Sequence, residues 1–156
     1  MIKVNLYAVG KVKEDYFAKG IAEYLKRLKK YCDFNIIEIK EQPLKIESES
    51  EKERALLSEG EGIIRAVKGE YYVFAIEGEK FSSEDLAEFI SKKIDRGSDL
   101  NFVIGSSHGL SNAVKKGAKG AVSLSLATFP HTLFRLMACE QIYRAFTILN
   151  GATYHK

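Results

Sequence analysis

Between Pro130 and Gly151 the chain offers a helix with no polar face. Leu133, Phe134, Leu136, Met137, Ala138, Ile142, Tyr143, Ala145, Phe146, Ile148 and Leu149 cover nearly the whole circumference. Such a helix must be buried on all sides, yet it closes a chain of only 156 residues. Either it threads through the core or its second face meets another subunit. A homodimer interface is the favoured expectation.

The segments before it alternate between two periods. Ile2 to Val9 alternates apolar and polar residues and stops at Gly10, as a strand does. Asp15 to Tyr31 places Phe17, Ile21, Tyr24, Leu25 and Leu28 on one helical face. Phe34 to Ile39 is a second strand. Ser50 and Glu53 have capping-box spacing at the start of a helix whose stripe is Leu56, Leu57, Gly60, Ile63, Ile64 and Val67. Gly60 and Gly62 each weaken a helix by about 1 kcal/mol relative to Ala, which predicts a mobile or kinked segment. Tyr71 to Ile76 is a strand that Gly78 turns. Ser82 or Ser83 caps a helix burying Leu86, Phe89, Ile90 and Ile94. Leu100 to Ile104 is an apolar strand running into Gly105-Ser-Ser-His-Gly109, and a short helix from Ser111 follows. A strand around Val122–Leu126 and the Pro130 helix end the chain. The pattern predicts a single α/β domain over residues 1–156, a mainly parallel sheet flanked by helices.

Composition narrows the function classes. A chain 46% hydrophobic and 29% charged is neither disordered nor repetitive. No apolar run reaches the roughly 18 residues of a membrane span, and no secretory signal is visible. Cys32 and Cys139 lie far apart, so a reduced, cytoplasmic protein is expected. His108, His131 and His155 match no zinc spacing, and no metal is expected. The net charge is only +3, but from Ser111 to Lys156 there are six bases against one acid. That basic end suits an anionic partner such as RNA, although on charge alone solvated surface lysines are the favoured reading.

In a parallel sheet, ligands bind at the carboxyl ends of strands. Two such ends stand out: Gly105–Gly109, where small residues let a ligand approach the backbone, and Leu124–Phe129, whose backbone groups could grip an adenine edge. Each is also readable as a plain connector. A dinucleotide fold is disfavoured, because Lys11, Val12 and Lys13 follow Gly10 where a glycine-rich fingerprint would stand. Glu140 stands four residues before Arg144, the spacing of a helical salt bridge. The tail after Gly151 should fray.

Taken together, Ala8-Val-Gly-Lys11, Phe102-Val-Ile-Gly105 with Gly109-Leu110, Leu124-Ser125 with Thr128-Phe-Pro-His131, Glu140-Gln-Ile-Tyr-Arg-Ala-Phe146 and Tyr154-His-Lys156 resemble the RlmH family from end to end. These are small SPOUT methyltransferases that act on large-subunit ribosomal RNA. The resemblance implies a C-terminal trefoil knot, a homodimer, and an S-adenosylmethionine pocket contacted by Phe74, Gly105, Leu124, Ser125, Leu126, Ala127, Thr128 and Phe129. It implies methylation of N3 of a pseudouridine in the helix 69 loop of 23S rRNA, on the assembled ribosome. His155 or Tyr154, brought over the pocket by the tail, would handle the N3 proton, and Arg135, Arg144 and Lys156 would meet rRNA phosphates. Two departures stand out: Ser106 where the family has a second glycine, and Phe74 where it commonly has Leu. A non-catalytic, ribosome-associated dimer of the same fold is the competing expectation.

Overall fold

The computed structural model describes residues 1–156. In chain order the elements are β1 (Lys3–Val9), α1 (Asp15–Leu28), β2 (Asp33–Ile39), α2 (Glu49–Ala66), β3 (Tyr72–Lys80), α3 (Ser83–Asp95), β4 (Leu100–Ile104), α4 (Asn112–Gly117), β5 (Gly120–Ser123) and α5 (His131–Leu149). The five strands form one sheet in the order β2-β1-β4-β3-β5, and every pairing is parallel. Alternation along each strand feeds two cores. Val4, Leu6, Ala8, Leu100, Phe102, Ile104, Tyr72 and Phe74 face a large cluster beneath α1, α3 and α5. Tyr7, Val9, Val73 and Val103 face a smaller one beneath α2 and α4. Asn35, Asn5 and Asn101 share one register line, and their amides bond across β2, β1 and β4 at 3.3 and 2.9 Å. A one-residue slip would leave those amides unpaired in the sheet, so the ladder pins the register.

The last helix owes its apolar girth to this layering. α5 lies against both α1 and α3, and Ala138, Cys139, Ile142 and Ala145 are wholly buried within the one chain. Intramolecular burial therefore takes most of the circumference. Phe134, Leu136 and Ile148 stay half-buried against the core, and Leu133, Met137, Glu140 and Arg144 form a further half-buried stripe along the helix.

Several local expectations are corrected. The cap of α2 is Ser48, whose hydroxyl accepts from Glu51 N–H, and Ser50 lies inside the helix. The helix runs unbroken past Gly60 and Gly62. Gly60 is there for contact: a Cβ would stand 2.6 Å from Ser111 Oγ and 3.2 Å from Val114, so α2 and α4 touch at that point. Burial also shifts around α2, where Ala55, Glu59 and Ile63 go inward while Leu57 and Ile64 are 58% and 51% exposed. On α3 the Ser82–Asp85 capping box is present, but Ile94 is exposed. Lys93 is buried in its place, its ammonium 4.7 Å from the Tyr72 ring centre. Gly78 turns nothing. It sits in β3 where a Cβ would meet the Ala121 backbone, beside a bulge in which Phe74 and Glu79 both oppose Val122. β5 ends at Ser123, three residues early, which frees residues 124–130 as a loop.

Candidate functional site

The carboxyl ends of β3, β4 and β5 open into a cavity of about 550 Å³. That is the range of a nucleoside-sized ligand site. Three devices shape it. The β3 bulge lifts Ala75, Ile76 and Glu77 out of the ladder to form one wall. The turn after β4 forms the second: Gly109 N–H donates to Ser106 O at 2.9 Å, and Gly109 takes φ +88°, open to glycine. The loop after β5 forms the third, stiffened as Ser123 Oγ–H donates to Ser125 O (2.9 Å) and Ala127 N–H donates to Ser125 Oγ (3.0 Å).

Phe74, Gly105, Leu124, Ser125, Ala127, Thr128 and Phe129 all line the cavity. Leu126 does not: it is 69% exposed and points away. Phe74 is held by Phe102, stacked at 4.8 Å, and by Phe134, edge-on at 5.4 Å. Ser106 needs no left-handed backbone, since no residue other than glycine has positive φ, so the second glycine is dispensable here. Sequence reasoning missed Phe134, which lines the cavity one turn into α5, and the ion pair of Glu77 and Lys115 at 2.8 Å on its wall. Only the bulge brings that pair together, and nothing in the local pattern announced it. Lys115 holds the Glu77 carboxyl below its ordinary range.

Gly105 is tight for a reason different from the one expected. A Cβ there would overlap the Gly109 carbonyl and come within 2.9 Å of Leu110 Cγ, so the crowding is with its own turn. Gly105→Val should therefore push the turn outward and deform the cavity. Amide exchange at Gly109 should accelerate while the sheet amides stay protected; unchanged exchange would show that the turn tolerates the branch.

Of the three predicted phosphate contacts, Arg135 is placed in the core. Arg135 is only 3% exposed, with its guanidinium spent on Glu38 (2.7 Å) and on the Gly10 carbonyl (3.0 Å). A buried, paired arginine ties α5 to the ends of β1 and β2 and cannot reach a phosphate. Arg135→Ala should cost about 2 kcal/mol in urea unfolding, because it leaves the buried Gly10 carbonyl without its donor and empties a packed site, while Glu38, 44% exposed, turns to water. A loss under about 0.5 kcal/mol, the scale of a surface change, would place Arg135 outside the core. Arg144 forms the expected helical pair with Glu140, at 2.8 Å from Nε, and covers the Tyr154 ring at 4.8 Å. Lys156 is exposed at the terminus.

The tail is neither frayed nor over the cavity. Tyr154 packs edge-on against Tyr143 at 4.8 Å, and its hydroxyl meets Tyr24 at 3.1 Å and Glu140 at 3.2 Å. Burial and these bonds push its phenol well up, so Tyr154 keeps its proton and is a poor base. His155 Nδ1 stands 3.2 Å from Arg144 Nη1 and Nε2 stands 2.6 Å from Glu84. Arginine can only donate, so Nδ1 accepts and Nε2–H donates to the carboxylate. Both ring nitrogens are occupied. Arg144 lies 13 residues along α5 from the cavity-lining His131, about 20 Å at helical rise.

The chain is similar in sequence to known proteins along its length. The family model described as "Predicted SPOUT methyltransferase" matches residues 2–155. The chain is 47% identical over 160 residues to the ribosomal RNA large subunit methyltransferase H of Limosilactobacillus reuteri, covering 99% of this chain and 100% of that protein. The protein of the same name from Streptococcus thermophilus is 47% identical over 159 residues, with 99% and 100% covered. That of Caldicellulosiruptor saccharolyticus is 45% identical over 159 residues, covering all of both. Among solved structures, the SpoU methyltransferase AviRb of Streptomyces viridochromogenes aligns with a TM-score of 0.44 at 11% identity, covering 97% of this chain and 62% of that one.

Proposed function

The chain belongs to the SPOUT methyltransferase family, and from that premise we propose that it transfers the methyl group of S-adenosylmethionine to large-subunit ribosomal RNA. The observation that carries the reading is the cavity. Its aromatic and apolar wall of Phe74, Phe129 and Phe134 suits an adenine, and the backbone of 124–129 presents hydrogen-bonding groups along its edge. Glu77 and Lys115 offer one carboxylate and one ammonium to a ligand whose amino-acid end is a zwitterion. When bound, the cofactor supplies a methyl group already activated on a sulfonium. The chain's residues then have to align acceptor and donor and exclude water.

The rRNA class follows the names of relatives that match along their full length. Within it we read the acceptor as N3 of a pseudouridine in the helix 69 loop of 23S rRNA, presented on the assembled ribosome. With no RNA-binding module and a small net charge, the protein suits recognition of a folded surface better than of a sequence. A ribosomal substrate suits a cytoplasmic protein. No helix is long and apolar enough to cross a membrane, and no cluster of three or more metal-ligating side chains is present.

The docked tail bears on how the proton at N3 would leave. Within one chain, His155 is remote from the cavity. The half-buried stripe Leu133, Met137, Glu140 and Arg144 runs from the cavity to the tail along α5. Two copies meeting across it about a two-fold axis, with the helices antiparallel, set the tail of each beside the cavity of the other. We take the protein to be such a homodimer, with the segment after β5 threaded into the trefoil knot that the family resemblance implies. His155 is the group we assign to the proton, which Nδ1 takes once it leaves the Arg144 guanidinium, and Tyr154 positions the tail.

Calorimetric titration with S-adenosylmethionine should give one site per chain. Methyl transfer from radiolabelled cofactor should be strong on assembled ribosomes and weak on free rRNA. Binding without transfer to either substrate would favour a non-catalytic ribosome-associated dimer.

A further inference from the structure

The cavity occupies only part of the rim where the strands of the sheet end. All pairings are parallel, so the carboxyl ends of β1 and β2 continue that rim beyond β4. Gly10 is the junction. A Cβ there would stand 3.7 Å from Nε2 of the cavity-lining His131, and its N–H donates to Ile39 O at 2.8 Å, at the end of β2. Lys11 and Lys13 follow, both exposed, because Val12 between them packs on the core and turns them outward. Lys40, one residue past the Ile39 bond, is exposed as well. None of the three stands in an ion pair. The acids around them are paired or drawn in. Asp15 holds Lys19 at 2.8 Å, Glu38 holds Arg135, Glu14 has one oxygen buried, and Glu41 is half-buried against Gly10. Tyr16, on the first turn of α1, is 69% exposed, with Phe17 edge-on to its ring at 4.5 Å.

We propose that this ledge holds the RNA strand that carries the acceptor base, with Lys11, Lys13 and Lys40 on its phosphates and the Tyr16 ring stacked on an unpaired base. The inference rests on the rRNA reading and names the residues that meet the substrate. Other cations are engaged within the chain: Lys115 on Glu77, Arg135 on Glu38 and Arg144 on Glu140. Free ammoniums suit a phosphate chain, since each contact releases a counterion and no protein ion pair has to break first. Such contacts fix register and carry no sequence information. An exposed ring face takes any base that a loop leaves unstacked, which matches recognition of a folded RNA surface. The position matters as much as the charge. With the cofactor in the cavity, the acceptor has to be offered at its mouth by nucleotides held outside. The ledge begins at the residue after Gly10, directly beside the wall that His131 forms.

The test compares K11Q/K13Q, Y16A and Y16F with K3Q/K29Q, which removes two exposed lysines from the opposite, amino-end rim. All should keep the wild-type urea midpoint and bind S-adenosylmethionine as the wild type does. Affinity of K11Q/K13Q for assembled ribosomes should fall about tenfold. Its log–log dependence on salt should flatten by about 1.4, two phosphate contacts at about 0.7 each. Y16A should lose about tenfold with the salt slope unchanged, and Y16F should lose little because the ring remains. In turnover the loss should fall on KM for ribosomes, with kcat near wild type. K3Q/K29Q should match the wild type throughout. Wild-type affinity and slope in K11Q/K13Q, an equal loss in K3Q/K29Q, or wild-type binding by Y16A would each overturn the proposal. Polyglutamate should compete poorly, since it offers charge without a base to stack; competition equal to that of RNA would overturn the assignment to RNA. Poly(U) separates the ledge from the rRNA reading. If the wild type does not bind ribosomes but binds poly(U) with the same variant pattern, the ledge stands and the rRNA reading fails. Binding to neither would overturn the ledge.

Discussion

Ile142→Glu should leave no folded protein. Ile142 is fully buried in the core shared by α1, α3 and α5, and a carboxylate there has no partner among its apolar neighbours. An unpaired buried charge costs several kcal/mol, about 3–5 where a buried pair has been broken, against a total stability of about 5–15 for a domain. Circular dichroism should show loss of the helical signal, or a urea midpoint displaced nearly to zero. Met137→Glu, one and a half turns earlier, is the informative contrast. Met137 is only half-buried and lies on the stripe assigned to the partner subunit. Its glutamate should fold normally and sediment as a monomer, with methyl transfer lost because each cavity then lacks the partner's tail. A folded, dimeric M137E protein would remove the stripe from the interface, and a cooperatively folded I142E protein would contradict the placement of α5.

The tail should carry the largest effect on turnover. Deleting residues 151–156 removes the Tyr154 contacts with Tyr24, Tyr143 and Glu140 and both bonds of His155. These are surface-edge contacts, so the loss of stability should be about 1–2 kcal/mol, within what the domain tolerates. The cavity residues remain, so S-adenosylmethionine should still bind. Methyl transfer to ribosomes should fall by about a hundredfold or more, the scale of losing a positioned proton acceptor. His155→Ala should reproduce much of that defect, and the defect should shrink at high pH, where the acceptor nitrogen ionises unaided. Tyr154→Phe should be milder, because the phenol is held protonated by burial and by Tyr24. Glu84→Gln weakens only the docked contact of His155 and should spare most activity. Full turnover by the truncated chain would make the tail a structural clasp and nothing more.

The element types and their order were legible along the chain because they depend on near neighbours. Period-two alternation in residues 3–9, period-3.6 stripes in α1 and α3, the Ser82–Asp85 box and the Asn150–Gly151 stop each act within a turn or two of backbone. Alternating strands and helices then leave a parallel sheet as the economical solution, and a parallel sheet puts its ligand at the carboxyl ends of strands. That is why the two strand ends read from the residues, at Gly105 and at 124–129, line it with the exception of Leu126, while Phe74 was named only by the family resemblance. Leu126 fails because a loop has no period to say which side chain turns inward.

What the chain could not disclose depends on residues far apart in sequence. Gly60 reads as a weak point and Gly78 as a turn, yet each admits a neighbour, Ser111 or the Ala121 backbone, that lies more than forty residues away. Arg135 reads as a basic residue for RNA until Glu38 and the Gly10 carbonyl, 97 and 125 residues distant, claim its guanidinium. Glu59 stands among the acids of residues 41–61, yet folding leaves it only 3% exposed with Oε2 on the Gln42 N–H. The tail reads as mobile because a helix stop precedes it, and its anchors at Tyr24 and Glu84 stand 130 and 71 residues upstream. Local pattern decided which elements form and where the sheet ends open. The packing of distant segments decided which polar groups are buried, and burial determines whether a charge is a solvent-facing contact or part of the frame that holds the cavity.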